Sequence, residues 1–301
     1  MAQQCPFAEV VGLDMAVWDL ETTESIAGES RVTWEIDDLD VWGVESEVDD
    51  LSLMLEHYDP FHDPTHRPLF EPASKARQKH GGPHSPDPTA SDDTAFDPYV
   101  LEPPAQPGWN FSEPFDLIHL RNMKGVFAAW EDVYAEIYKN LSPGGWVEIA
   151  DFDIAMPDAG DTANPLFPTI SKLCRSLMQA SFKAGRPAGT FYMHPSYLEE
   201  AGFKDVHTTY VNVPVGQWPE DEEQKKIGKM MFVVAMESLE PLLLRLLTSC
   251  GDAEKVWTAR EVREHVERSK KEILEWSAVE PGLRGWCAHF KWIVGRKSKN
   301  A

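Results

Sequence analysis

Residues Phe115 to Asp153 constrain the fold of this chain more than any other stretch. An apolar run, Phe115 to Leu120, is followed by a polar turn at Arg121 and Asn122. An amphipathic segment from Ala128 to Leu141 comes next. A Pro143-Gly144-Gly145 turn then leads into a second apolar run, Trp146 to Ala150, which ends in Asp151 and Asp153. This order predicts a strand–helix–strand unit, the building block of a parallel α/β sheet. Ligands of such sheets bind outside the carboxyl ends of the strands. The polar residues His119 to Asn122 and Asp151 to Asp153 fall at those ends.

The flanking sequence extends the pattern. Residues 7–13 read as a short buried strand ending at Asp14, and 31–36 as a second strand ending at Asp37 and Asp38. From Asp59 to Pro114 the chain carries 12 of its 23 prolines with almost no apolar periodicity. Burial in such a segment cannot offset its ordering entropy, which predicts a disordered surface insertion. Regular structure resumes at Phe115. Ile170, Leu173, Cys174, Leu177 and Met178 recur at helical spacing and predict a helix over 164–184. A short helix is expected from His194 to Glu200, stopped at Gly202, then a strand over 203–215. Helices follow over 221–249 and 258–277, and a final aromatic-rich strand from Ala288 to Val294. Three parts result: 1–58 as an N-terminal part, 59–114 as the insertion, and 115–301 as the rest of the same domain.

Composition narrows the function classes. A hydrophobic share of 42% suits a globular chain. A net charge of −22 argues against a nucleic-acid surface, which needs clustered Lys and Arg. Cys5, Cys174, Cys250 and Cys287 are too scattered for a zinc site or a disulfide framework. The pairs His62/His66 and His80/His84 have metal-ligand spacing on a helix, but Pro64, Gly81, Gly82 and Pro83 argue against helix there, so no metal is expected. The N-terminus lacks the pattern of a signal peptide. The most apolar helix, Met230 to Leu247, contains Glu237, Glu240, Pro241 and Arg245, unlike a membrane span. The expected location is the cytoplasm or nucleus.

Four segments carry a resemblance to a known family: FDLIHLRNMKG at 115–125, LSPGGWVEIADFD at 141–153, LEEAGFKDV at 198–206 and WIVGRK at 292–297. FAEVVGLDM at 7–15 and RVTWEIDDLDVW at 31–42 add to it. In this combination and order the chain resembles the class I S-adenosylmethionine-dependent methyltransferases, and more narrowly the fungal LaeA-like methyltransferases, over 1–45 and 112–298. The resemblance implies an α/β Rossmann-like sheet with helices on both faces and a helical substrate cover formed by 155–200 and 220–280. Phe191, Tyr192 and Trp218 are candidate lining of that cover, against a reading of ordinary packing.

The resemblance also implies S-adenosylmethionine as cofactor and a small-molecule acceptor in secondary metabolism. Asp14 would accept from the ribose hydroxyls. Asp37 or Asp38 would accept from the adenine amino group, with Leu39 against the ring. His119, Arg121 and Asn122 would offer donors to the methionine end. Methyl transfer needs alignment and, for some acceptors, a base; His119 is the first candidate, Tyr192 and His194 weaker ones. The competing reading is a catalytically weak or inactive methyltransferase-like protein that binds regulatory partners in secondary metabolism.

One departure bears on both readings. The family carries a D-x-G-x-G-x-G loop after its first strand, and no such segment occurs in the 301 residues. Residues 1–7 resemble the end of the helix that follows that loop. The first strand, which lies centrally between strands two and four, is therefore expected to be missing. An upstream start is the simplest explanation; direct pairing of strands two and four, or another segment in the gap, are alternatives. Retained intronic sequence would explain 59–114.

Overall fold

The computed structural model describes residues 7–14, 32–41, 108–109, 111–154, 168–277 and 284–300. The expectations for residues 59–107, including the four histidines at 62, 66, 80 and 84, lie outside these residues. Two sheets form. Strands β1 (Val10–Asp14) and β2 (Val32–Ile36) pair in parallel. The main sheet comprises β3 (Phe115–Arg121), β4 (Leu141–Ile154), β5 (Lys204–Pro214) and β6 (Cys287–Arg296), in the order β3-β4-β6-β5. The β3–β4 pair is parallel, and β6 runs antiparallel to both neighbours.

The expected strand–helix–strand unit is present. Its helix, α1 (Trp130–Lys139), buries Trp130, Val133, Tyr134 and Ile137, an i, i+3, i+4, i+7 stripe. That stripe packs on Leu120, Val147, Ile149 and Ile293 of the sheet, together with Leu198 and Phe203. Leu198 belongs to α3 (Pro195–Glu200), which ends at Gly202 as expected. The opposite face, towards the carboxyl end of β4, is covered by α2 (Pro168–Lys183), α4 (Glu222–Ser249) and α5 (Ala259–Ser277). Ile170, Met231, Met236 and Ile273 from these helices meet Phe152, Val213, Ala288 and Phe290 from the strands. The architecture is thus α/β and Rossmann-like, with helices on both sides of a mixed sheet.

Two glycines are fixed by packing. The Pro143-Gly144-Gly145 segment does not precede β4 but lies inside it. Between the Phe115–Leu141 and Leu117–Trp146 pairs, two residues of β3 pass five of β4. The surplus is taken up by a bulge in which Gly144 has φ +86° and is held by Gly144 N–H to Lys297 O at 3.1 Å. On α4, Gly228 lets the helix reach the backbone after β5: a Cβ there would sit 2.0 Å from Gly216 O.

Among the described residues no strand pairs β1 with β3, and each is the edge of its own sheet. Leu117 of β3 is 44% exposed, so water can serve the β3 edge that a central strand would otherwise pair. The segment after β2 still reaches the main body. Leu39 packs on the principal core, and its carbonyl accepts from Trp109 Nε1 at 2.9 Å.

Trp109 lies within the stretch read as an insertion over 59–114. It is 5% exposed, its backbone N–H donates to Glu136 Oε2 at 3.1 Å, and Phe111 packs edge-on against both Trp109 and Phe115. Two large aromatics contribute enough burial to join the core without any periodicity around them.

Candidate functional site

The carboxyl ends of β3 and β4 converge on a buried polar cluster. Pleating puts Val147, Ile149, Asp151 and Asp153 of β4 on one face. The first two enter the apolar core; Asp151 is only 1% exposed. A carboxylate so placed must be hydrogen-bonded or paired. Asp151 Oδ2 accepts from Tyr192 OH at 2.7 Å and from Lys124 N–H at 2.9 Å, and Oδ1 accepts from Phe152 N–H at 2.7 Å. Lys124 Nζ lies 3.4 Å from Asp151 and 3.8 Å from Asp153. It also donates to the Phe152 carbonyl and sits 4.1 Å above the Phe152 ring centroid. Thr190 Oγ1 donates to Asp153.

Burial raises the Asp153 carboxyl above its usual range, although Lys124 and Thr190 work against the rise. Lys291, opposite Asp151 on β6, is pushed down to about 8 by burial, with the Asp153 charge opposing. Its ammonium also lies 5.6 Å from the Tyr210 ring centroid.

Tyr192 anchors the cluster to the fold. Its ring stacks on Trp130 at 3.9 Å between centroids, and its carbonyl accepts from Tyr134 OH at 2.7 Å. Burial, then the nearby Asp151 charge, drives its phenol pKa far up. Its hydroxyl is held as a donor to Asp151.

A second hub gathers the loops. Arg186 donates from Nε to Val126 O at 3.0 Å and pairs with Asp40 through its terminal nitrogen. Gly125 N–H donates to Pro187 O at 3.1 Å. The loop after β2, the loop after β3 and the segment before Tyr192 are thereby held together. The Asp40 side chain is 7% exposed, and its Oδ1 has no hydrogen-bond partner among the described residues.

The sequence candidates take up varied positions. Asp14 ends β1, paired in register with Ile36. Asp37 and Asp38 are exposed, and Asp38 Oδ1 caps the turn by accepting from Asp40 N–H at 3.0 Å. Leu39 is half-buried and packs against the main core. His119 lies within β3, opposite Glu148, with Nδ1 2.9 Å from Glu148 Oε1. Arg121 and Asn122 are exposed at the end of β3. Asn122 has φ 58°, and its N–H donates to Ala150 O at 3.0 Å.

His194 caps α3 through Nδ1, which accepts from Ser196 N–H at 3.2 Å. Phe191 packs against the main core, and Trp218 packs in the second core with Nε1 on Trp286 O at 3.0 Å. The structure thus brings Lys124, Asp151, Asp153, Thr190, Tyr192 and Lys291 together, and Asp40 with Arg186. Sequence reasoning gave no role to Lys124, Lys291, Asp40 or Arg186. Lys291 carried one signal, a charge in the middle of an aromatic-rich strand.

Among the described residues no group of His, Cys, Asp and Glu is arranged to hold a metal. No described helix is long and apolar enough to cross a membrane.

No family model matches the chain. Among curated proteins it is 35% identical over 142 residues to the secondary metabolism regulator LAE1 of Cochliobolus heterostrophus, covering 46% of each chain. It is 30% identical over 155 residues to the secondary metabolism regulator laeA of Aspergillus niger, covering 50% of this chain and 39% of the relative. It is 29% identical over 154 residues to the methyltransferase pytC of Aspergillus terreus, covering 51% and 46%. The chain therefore spans about half the length of the curated relatives it matches.

A solved structure, the cyclopropane synthase MmaA2 of Mycobacterium tuberculosis, overlaps at TM-score 0.31 and 13% identity, covering 62% of this chain and 56% of that one. So loose an overlap decides nothing, and the fold rests on the sheet order. Across roughly half of its length, this chain is similar in sequence to fungal proteins named as LaeA-type secondary metabolism regulators and as methyltransferases.

Proposed function

We propose that this protein is an S-adenosylmethionine-dependent methyltransferase of fungal secondary metabolism that acts on a small-molecule acceptor. One observation carries the reading. The sheet order β3-β4-β6-β5, with β6 antiparallel, sets the polar ends of β3 and β4 side by side, and the chain is similar in sequence to proteins named methyltransferases.

The residues present fit this cofactor in part. Arg121 and Asn122 are exposed donors suited to a carboxylate at the end of β3. The loop after β2, through Asp38, Leu39 and Asp40, is held against the loop after β3 by Arg186. The glycine-rich turn that would let backbone approach the donor closely does not occur in the sequence. His119 faces Glu148, so deprotonation of an acceptor would draw on that pair rather than on a lone imidazole.

The second reading is a methyltransferase-like regulator acting through a protein partner. The similarity to proteins named secondary metabolism regulators favours it. The two readings separate in one assay. The purified protein is incubated with methyl-labelled S-adenosylmethionine and a fungal extract. Label entering the low-mass fraction is the expected result. Label at the level of a protein-free control, with a folded sample, leaves the regulator reading.

A further inference from the structure

Strand register lays out a polar grid around Asp151. Asp151, Lys291 and Tyr210 form one row across β4, β6 and β5; Asp153, His289 and Asn212 form the next. The row before them, Ile149, Ile293 and Thr208, lies on the same face and enters the core through its two isoleucines. The face therefore turns from apolar to polar towards the carboxyl end of β4. It also opens to water: Asp151 is 1% exposed, Lys291 is half-buried and Tyr210 is 45% exposed. His119 and Glu148 pair on the opposite face of the sheet.

Within the grid Lys291 stands apart. Asp151 and Asp153 are hydrogen-bonded and lie beside Lys124. His289 Nδ1 donates to Asn212 Oδ1 at 2.7 Å. Among the described residues the Lys291 ammonium makes no hydrogen bond and no ion pair; its one contact is the Tyr210 ring, 5.6 Å away. The titratable groups that face it are Asp151 and Asp153 on β4, His289 on β6 and Tyr210 on β5, with Lys124 and Tyr192 beyond the carboxylates. Burial without a partner disfavours the charged form, which brings the amine down to about 8 against the pull of Asp153. An amine in that range gives and takes protons near neutral pH, as a general base must.

The same chemistry selects an acceptor. A phenolic hydroxyl ionises at about 10, close enough for such an amine to take its proton. An aliphatic hydroxyl is as weak an acid as water, at about 15.7. A carboxylic acid is already ionised at neutral pH and needs no base. A cationic amine would meet two ammonium groups, Lys124 and Lys291. The exposed Tyr210 ring beside Lys291 offers a flat acceptor a stacking surface.

We propose that Lys291 Nζ is the general base of the transfer and that the acceptor is a phenol or enol, methylated on oxygen. The proposal rests on the methyltransferase reading. The acceptor's O–H bond breaks as its proton passes to the lone pair of neutral Nζ. Its oxygen pair forms the new O–CH3 bond, and the electrons of the broken C–S bond stay on the donor's sulfur. The ammonium then returns the proton to water.

The full chain is assayed with methyl-labelled S-adenosylmethionine and a fungal extract. Wild type is expected to yield a labelled methyl ether at a rate that climbs through about pH 8. Lys291→Gln should lose about a hundredfold or more. Lys291→Arg keeps the charge but cannot release a proton, so it should be equally impaired. Two readouts are independent of activity. Lys291→Met should unfold at no lower temperature than wild type, since it removes an ammonium without a partner. Competitive acetylation read by peptide mass spectrometry should place Lys291 at about 8, apart from the exposed lysines. Activity of Lys291→Gln within about threefold of wild type, rescue by arginine, or a product methylated on nitrogen, sulfur or carbon would overturn the proposal. So would a destabilised Lys291→Met, or a Lys291 that titrates with the exposed lysines. A folded wild type that transfers no label at all removes the methyltransferase reading, and this proposal with it.

Discussion

Asp151→Ala is expected to destabilise the protein by about 3–5 kcal/mol, a large part of the roughly 5–15 kcal/mol that holds a domain together. The carboxylate is the common acceptor for Tyr192 OH, Lys124 N–H and Phe152 N–H, and it lies beside the Lys124 ammonium. Its removal leaves the buried Tyr192 hydroxyl without its acceptor and takes one of two carboxylates from Lys124, which keeps Asp153 and the Phe152 carbonyl. Lys124 retains 25% side-chain exposure and can turn towards water, which favours the lower end of the range. Tyr192→Phe deletes one donor and keeps the stacking on Trp130, so about 1.5 kcal/mol is expected. Urea unfolding of the three proteins checks the order. A loss below about 1 kcal/mol for Asp151→Ala would mean that the cluster does not hold the site end of the sheet.

Asp252→Ala is expected to cost about 3 kcal/mol, far from the polar cluster, through the joint between α2, α4 and α5. Asp252 is almost fully buried between α4 and α5. Its Oδ2 accepts from Ser176 Oγ and Trp257 Nε1, both at 2.8 Å. Its Oδ1 accepts from the backbone N–H groups of Glu254 and Lys255 at 2.9 and 3.0 Å. Burial alone would raise this carboxyl, but the hydrogen bonds from Lys255, Ser176, Glu254 and Trp257 prevail and hold it at about 2.

The sign of the pH effect follows. A depressed carboxyl stabilises the fold above its unfolded value of about 3.9. That contribution fades as pH falls through about 2. The difference in unfolding free energy between wild type and Asp252→Ala should therefore be level from about pH 5 to 7 and shrink below about pH 4. A difference that grows on acidification would contradict the assignment.

Much of the fold is written in local pattern. The α1 stripe of Trp130, Val133, Tyr134 and Ile137, the glycine stop after α3 and the two long helices follow from local spacing and stop signals, although the long helices divide their buried residues between two cores. The α5 start is marked by a capping box, with Glu261 Oε2 accepting from Thr258 N–H at 2.8 Å and Glu261 N–H donating to Thr258 Oγ1 at 3.2 Å. Features that depend on distant partners are not legible this way. Trp109 sits among prolines with no apolar period around it until Leu39 and Glu136 arrive from 70 and 27 residues away.

The site shows the same division. Strand alternation puts Asp151 and Asp153 on one face with Ile149, but Lys124, Tyr192 and Lys291 reach them from three other elements. Asp40 lies two residues beyond the exposed Asp38, and only Arg186, 146 residues away, distinguishes them. Proximity built by tertiary structure has no period in the sequence.

Calorimetric titration of the 301-residue protein with S-adenosylmethionine tests the central claim most directly. Saturable binding in the micromolar range is expected, weakened about tenfold or more in Arg121→Ala through loss of a charged hydrogen bond to the methionine carboxylate. A cooperatively unfolding protein that takes up no S-adenosylmethionine would contradict it.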